Sequence, residues 1–267
     1  MSTPVPRRSV LGAAGIVSLG ALLAACTRDS DSTTPGADGT AVTTDAGSTA
    51  TVQPSATGTA GSARAMLEQA TSCTLAPETT EGPYYFDVDS IRGDIREDRD
   101  GVTMRLALRV QDASEGCAPV ANAVVDIWHC DAEGIYSGFE SASRGGPGGS
   151  GPTDEETYLR GAQVTDADGV VEFATIYPGW YRGRAVHVHF KVHLDQSTVL
   201  TSQLFFDEDF TDKIYDAEPY ASQGQRDTRI DTGDMVYDQA DADGAPVLLT
   251  LQRDGDEVLA ATNLVVA

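Results

Sequence analysis

Two histidines one residue apart, His187 and His189 in Arg184-Ala185-Val186-His187-Val188-His189-Phe190, are the side chains best spaced for joint chemistry. In a strand, residues i and i+2 share a face and stand ~6.6 Å apart at a rise of ~3.3 Å per residue, so both imidazoles can reach one metal ion. Tyr136, in Gly134-Ile135-Tyr136, and Tyr181, in Pro178-Gly179-Trp180-Tyr181, would add two phenols. A phenol with an ordinary pKa near ~10 ionises at neutral pH only beside a strong Lewis acid. Fe(III) is such an acid, and tyrosinate ligates iron in catalase haem. Two anionic oxygens stabilise Fe(III) over Fe(II) and favour activation of an organic substrate. Each tyrosine alone also reads as core or as a corner hydrogen bond. His129 and His193 complete the four histidines of the chain. Neither has the same turn context, and both read as non-ligands. Four imidazoles are too few for a two-metal copper-zinc sandwich.

The elements that must hold these groups read as strands. Met104 to Val110, Ala123 to Trp128, Val170 to Thr175, Val186 to Leu194, Val199 to Phe206, Val247 to Gln252 and Val258 to Val266 carry strand-type apolar runs. Gly, Pro and Asp punctuate them at short intervals. The fold class expected is all-β, an antiparallel β-sandwich with long loops and one short N-terminal helix over Ser62 to Ala70. Ser141 to Pro152 is rich in Gly and Pro and reads as a surface loop.

Ahead of that domain lie two segments of other character. Residues 1–25 read as an export signal, with Arg7-Arg8 before an apolar run from Val10 to Ala25. The arginine pair fits twin-arginine export, and an ordinary secretory signal is the alternative. Leu23-Ala24-Ala25-Cys26 resembles a lipoprotein cleavage box, making Cys26 the lipidation site and the only membrane attachment. The apolar run of ~16 residues is short of the ~20 that a span requires. Residues 26–61 are Ser, Thr, Gly, Ala and Asp with few large apolar side chains, and read as a disordered tether. The third segment, 62–267, is the expected folded domain.

Setting aside Arg7 and Arg8 leaves 16 basic residues against 41 acidic ones, a formal charge of −25. That excludes nucleic acid as a partner and suits an exported surface. Cys73, Cys117 and Cys130 allow one disulfide and one free thiol, with three pairings open. No CxxC or Cys/His zinc spacing occurs.

The chain resembles the intradiol ring-cleavage dioxygenases, which include catechol 1,2-dioxygenase and protocatechuate 3,4-dioxygenase. The resemblance spans Cys73 to Asp209 and rests on several motifs together. They are Thr80-Glu81-Gly82-Pro83-Tyr84-Tyr85, Val125 to Asp131 with Gly134-Ile135-Tyr136, Asp168-Gly169, Thr175 to Tyr181, Arg184 to His189, and Gln203-Leu204-Phe205-Phe206. Secreted single-chain members, which also carry TEGPYY and WHC stretches, are the nearest in pattern.

The resemblance implies a mononuclear non-haem Fe(III) held by Tyr136, Tyr181, His187 and His189. Tyr181 would be the axial tyrosine that leaves when a catechol chelates the metal. Arg184 would stabilise charge developing on the ring, Gln203 would support it, and Gly82, Pro83, Tyr84 and Trp180 would border the substrate. The implied activity is aromatic compound catabolism, with cleavage of a small catechol-type aromatic diol by O2 to a cis,cis-muconate-type product. The helical dimerisation segment typical of cytosolic catechol dioxygenases has no counterpart here, so no oligomeric state follows. An iron-free exported binding module and a cupin-like metalloenzyme are the competing readings, and neither explains both tyrosines.

Overall fold

The computed structural model describes residues 40–43, 49–52, 63–69, 73–88, 90–146, 151–194, 197–244 and 247–267. The expected signal and Cys26 lie outside these residues. Within the span read as a tether, β1 (Thr40–Thr43) and β2 (Thr49–Val52) pair antiparallel, and the rest of that span is outside the description.

Two five-stranded sheets make up most of the remainder. The first is built on β3 (Thr103–Asp112), which pairs with the short β4 (Ala118–Pro119) and with β7 (Val170–Ile176). Its other edge meets β12 (Glu257–Val266), which pairs onward with β11 (Thr250–Asp254). The second sheet runs β10 (Val247–Leu248), β9 (Ser197–Phe205), β8 (His187–Leu194), β5 (Val124–Trp128) and β6 (Arg160–Val164). Both sheets are mixed, because β12 runs parallel to β3 and β10 runs parallel to β9. The expectation of purely antiparallel sheets is thereby corrected. Period-2 alternation fixes which face a side chain takes but carries no information on strand direction.

The expectation of one short helix also changes. The N-terminal segment is a 3-10 helix, Ala63–Glu68, whose Ala63, Met66 and Leu67 pack on Ala107, Val170, Leu259 and Ala261 of the first sheet. Among the described residues three α-helices follow it: α1 (Glu140–Ser143), α2 (Glu208–Tyr215) and α3 (Met235–Asp243). Both longer helices start on an aspartate, where Asp207 accepts from the Phe210 N–H, and Asp234 from the Val236 and Tyr237 N–H groups. Among the described residues, no helix is long and apolar enough to cross a membrane.

The two sheets bury one shared core. Leu106, Leu108 and Val110 of β3 join Val125 and Ile127 of β5 and Val188, Phe190 and Val192 of β8 in a single cluster. By strand parity, Trp128 of β5 and His187 and His189 of β8 take the opposite face. That face is buried as well, since both histidines are 2% exposed. It is roofed by the segment ahead of β3: Gln203 Nε2 donates to Thr80 O, and Tyr84 packs on Tyr136. A disulfide joins Cys73 to Cys117 with Cα atoms 6.0 Å apart, which selects one of the three open pairings and leaves Cys130 as a buried thiol.

Candidate metal centre

The i, i+2 spacing on β8 brings the two histidines together as expected, with His187 Nε2 3.1 Å from His189 Nε2. His187 is tautomerically fixed: its Nδ1–H donates to Ala185 O at 2.7 Å, so its Nε2 presents a lone pair. Tyr181 Oη lies 3.1 Å and Tyr136 Oη 3.3 Å from that same Nε2. All four sequence-expected donors therefore converge on one point.

The two tyrosines arrive there on loops held backbone to backbone. Tyr136 follows a tight turn in which Asp131 Oδ1 accepts from the Glu133 and Ile135 N–H groups. Gly179 N–H donates to Asp131 O at 3.0 Å, tying the Tyr181 loop to that turn. Two glycines permit this approach. A Cβ at Gly134, where φ is +82°, would stand 2.3 Å from Trp180 O, and one at Gly179 would stand 2.4 Å from Ala132 O.

Around the donors lies a ring of aromatic side chains. Trp128 stacks on His189, with centroids 4.9 Å apart and planes at 8°. Tyr84 packs on Tyr136 at 4.7 Å. Gly82 presses on His189, where a Cβ would meet Cε1 at 3.1 Å. Pro83 is exposed, whereas Trp180 is half-buried beside Tyr181. Of the remaining histidines, His129 is fully buried but turned to Cys130 O and Thr175 Oγ1, at 2.8 and 2.7 Å.

Arg184 is pinned rather than free. Its Nε donates to Asp234 Oδ2 at 2.8 Å and its Nη2 to Gln203 Oε1 at 2.5 Å. Gln203, opposite His189 in the β8–β9 register, in turn donates to Thr80 O at 3.0 Å. Sequence reading missed Trp128 as a stacking partner and Asp234 altogether. The only signal for Asp234 was an aspartate ahead of a helical stretch, fifty residues from Arg184.

Burial dominates the electrostatics of the cluster. It drives both histidines well below their ordinary range, with the Arg184 charge adding to the effect. Their neutral, ligating form thus prevails at physiological pH. Burial also raises both phenols, Tyr136 strongly and Tyr181 to about 12, where the Arg184 charge opposes the rise. These phenols ionise only against a strongly polarising cation.

The residues fit such a cation. Donors 3.1 to 3.3 Å apart have the spacing of neighbouring ligands around one ion with bonds of ~2.1 Å. His189 Nδ1 is buried without a partner among the described residues, so the ring is not consumed by a structural hydrogen-bond network. No group of three or more His, Cys, Asp and Glu side chains able to hold a metal occurs among the described residues. The cluster of two imidazoles and two phenols thus carries no carboxylate of the kind a cupin-type site adds.

Known proteins similar to this chain are dioxygenases. The model of the Dioxygenase family matches residues 80–246. An intradiol ring-cleavage dioxygenase of Tetranychus urticae superposes with a TM-score of 0.67 at 33% identity, covering 73% of this chain and 94% of that one. Catechol 1,2-dioxygenase 1 of Acinetobacter lwoffii is 31% identical over 170 residues, 55% of this chain and 50% of that protein. Chlorocatechol 1,2-dioxygenase of Rhodococcus opacus is 29% identical over 134 residues, 43% of this chain and 48% of that protein. The chain belongs to the intradiol ring-cleavage dioxygenase family. It spans about half the length of the curated relatives it matches.

Proposed function

We propose that this chain is a non-haem iron enzyme that opens catechol-type aromatic diols with O2, cleaving between the two hydroxyl-bearing carbons to give cis,cis-muconate-type products. One observation carries the reading: two phenol oxygens and one imidazole nitrogen lie within 3.3 Å of His187 Nε2 in a buried pocket. Tyr136, Tyr181, His187 and His189 would hold the metal. Ferric iron, when bound, supplies the Lewis acidity that ionises the phenols and a chelating diol and leaves the diol ring electron-rich towards O2.

The chain's own residues divide the remaining work. The His187 ring is oriented by Ala185 O, and the His189 ring by the stacked Trp128. Tyr136 is 0% exposed and boxed by Tyr84, so it stays in place. Tyr181, only partly buried, would be the tyrosine whose oxygen takes a proton from an incoming diol. Arg184 offers a donor to charge that develops on the ring, where a preorganised hydrogen bond in a dry site acts most strongly. The aromatic wall of Tyr84, Phe86 and Phe139 excludes water beside Tyr136.

The test is visible spectroscopy on protein of measured iron content, with and without catechol. A phenolate-to-iron band that shifts on adding catechol, and that is lost in Tyr136→Phe and His187→Ala variants along with activity, is expected. Colourless protein without stoichiometric iron would overturn the assignment. Arg7-Arg8, the apolar run to Ala25 and Cys26 further support export, with the protein lipid-anchored on the outer face of the cell membrane or extracellular. An unmodified Cys26 in mass spectra of the mature protein would remove the lipid anchor.

A further inference from the structure

We propose that Asp234 is a positioning residue for the reaction, acting through Arg184; the inference rests on the function proposed above. Asp234 is 0% exposed, and both carboxylate oxygens are fully engaged. Oδ1 accepts from the Val236 and Tyr237 N–H groups, each at 2.9 Å, and so starts α3. Oδ2 accepts from Arg184 Nε at 2.8 Å and from the Ala185 N–H at 2.7 Å.

A helix cap alone needs only the first of these pairs. Asp207 shows the contrast: it starts α2 through one oxygen, accepting from the Phe210 N–H, and is exposed. A buried carboxylate spanning a helix start and the loop that leads into the donor histidines is a different construction. It needs a charged partner to be tolerated away from water, and Arg184 is that partner.

The consequence is directional. Asp234 accepts from Nε at 2.8 Å and, at the longer 3.5 Å, from Nη2; Gln203 Oε1 accepts from the same Nη2, and Nη1 makes no hydrogen bond among the described residues. The two acceptors together fix the plane of the fork and leave one amine edge for the substrate ring. With Asp234 removed, Gln203 holds Arg184 at a single nitrogen, and the guanidinium can rotate about that bond. A donor that must meet charge appearing only during the reaction then loses its alignment, which lowers kcat more than it weakens diol binding.

The experiment uses iron-loaded enzyme carrying Asp234→Ser, which retains a good helix cap but cannot reach Arg184, and Asp234→Asn, which keeps the shape without the charge. Iron content, the phenolate-to-iron band and thermal midpoint are measured first, then anaerobic catechol binding, kcat and KM. Both variants should keep iron and the band and bind catechol within about 3-fold of wild type, while kcat falls about 10- to 100-fold, in line with loss of a supporting contact to a working side chain. In an Arg184→Met background the same substitutions should change kcat less than 3-fold, because the group they align is gone. Multiplicative losses in that background would overturn the proposal. So would loss of iron or its band in both Asp234 variants, because the residue would then act through Ala185 and His187. A wild-type protein with no iron band or no activity refutes the parent reading, whereas an active wild type with unaffected Asp234 variants refutes this inference alone.

Discussion

Replacing Gly134 by alanine separates the geometry of the donor cluster from its chemistry. The added Cβ would stand 2.3 Å from Trp180 O and 3.3 Å from Tyr181 Cβ. Since the obstacle is backbone, relief requires the Tyr136 and Tyr181 loops to part by about 1 Å to reach ordinary contact. The left-handed φ of +82° adds a further ~1–2 kcal/mol for a residue with a Cβ. Together with ~1–3 kcal/mol of overpacking, the expected loss of stability is about 3 kcal/mol.

Metal binding should weaken alongside folding. Ligand distances in a working site hold to within ~0.2 Å, so a shift of about 1 Å between the phenol oxygens should weaken iron binding by at least ~10- to 100-fold. Gly255→Ala is the control, having φ +60° and nothing within 4 Å of the added Cβ. It carries the strain without the clash, far from the donors along the chain. The assay is iron titration followed at the phenolate band, with urea unfolding of the metal-free proteins alongside. Should Gly134→Ala load iron as tightly as Gly255→Ala, with an unchanged band, the claim that abutting backbones set the tyrosine geometry is wrong.

Two other outcomes follow from features away from the donors. His129 is held neutral by burial, its pKa lowered from 6.5 to about 4. The unfolded chain gains a proton as pH falls through 6.5, and the folded chain does not until about 4, so stability must drop across that window by about 3 kcal/mol. Unfolding free energies measured between pH 7 and 4 should therefore slope less steeply for His129→Gln, and parallel slopes would contradict its burial as a neutral ring. Breaking the Cys73–Cys117 bond, which closes 44 residues, should cost about 4 kcal/mol in the chain-entropy account. Denaturant midpoints of Cys117→Ser that match the oxidised protein would show that the loop is already constrained by packing.

Much of this molecule was legible in its sequence, for reasons that also mark where legibility stopped. Alternation of apolar side chains located β3, β5, β7, β8, β9 and β12 to within a few residues. β6 escaped because Arg160-Gly161-Ala162-Gln163-Val164 has no apolar stripe. Arg160 is instead buried by donating to Ser137 Oγ and Ser137 O and by stacking on Phe86. The expected Val247 to Gln252 strand breaks at Leu249, where β10 leaves one sheet and β11 enters the other. The histidine pair was readable from spacing, whereas the two tyrosines depended on family resemblance, because nothing local says that two loops 45 residues apart will abut. Asp234 shows the same limit: its capping role is written next to it, and its partnership with Arg184 exists only in three dimensions.

The chain has two tryptophans: Trp128 lies flat on a donor imidazole, and Trp180 precedes a donor phenol. Indole emission from this protein therefore comes from one ring stacked on a donor imidazole and one adjacent in sequence to a donor phenol, with no third indole to dilute it. Nature has in effect placed the optical reporter inside the pocket, so filling, emptying or distorting that pocket can be followed in unlabelled protein.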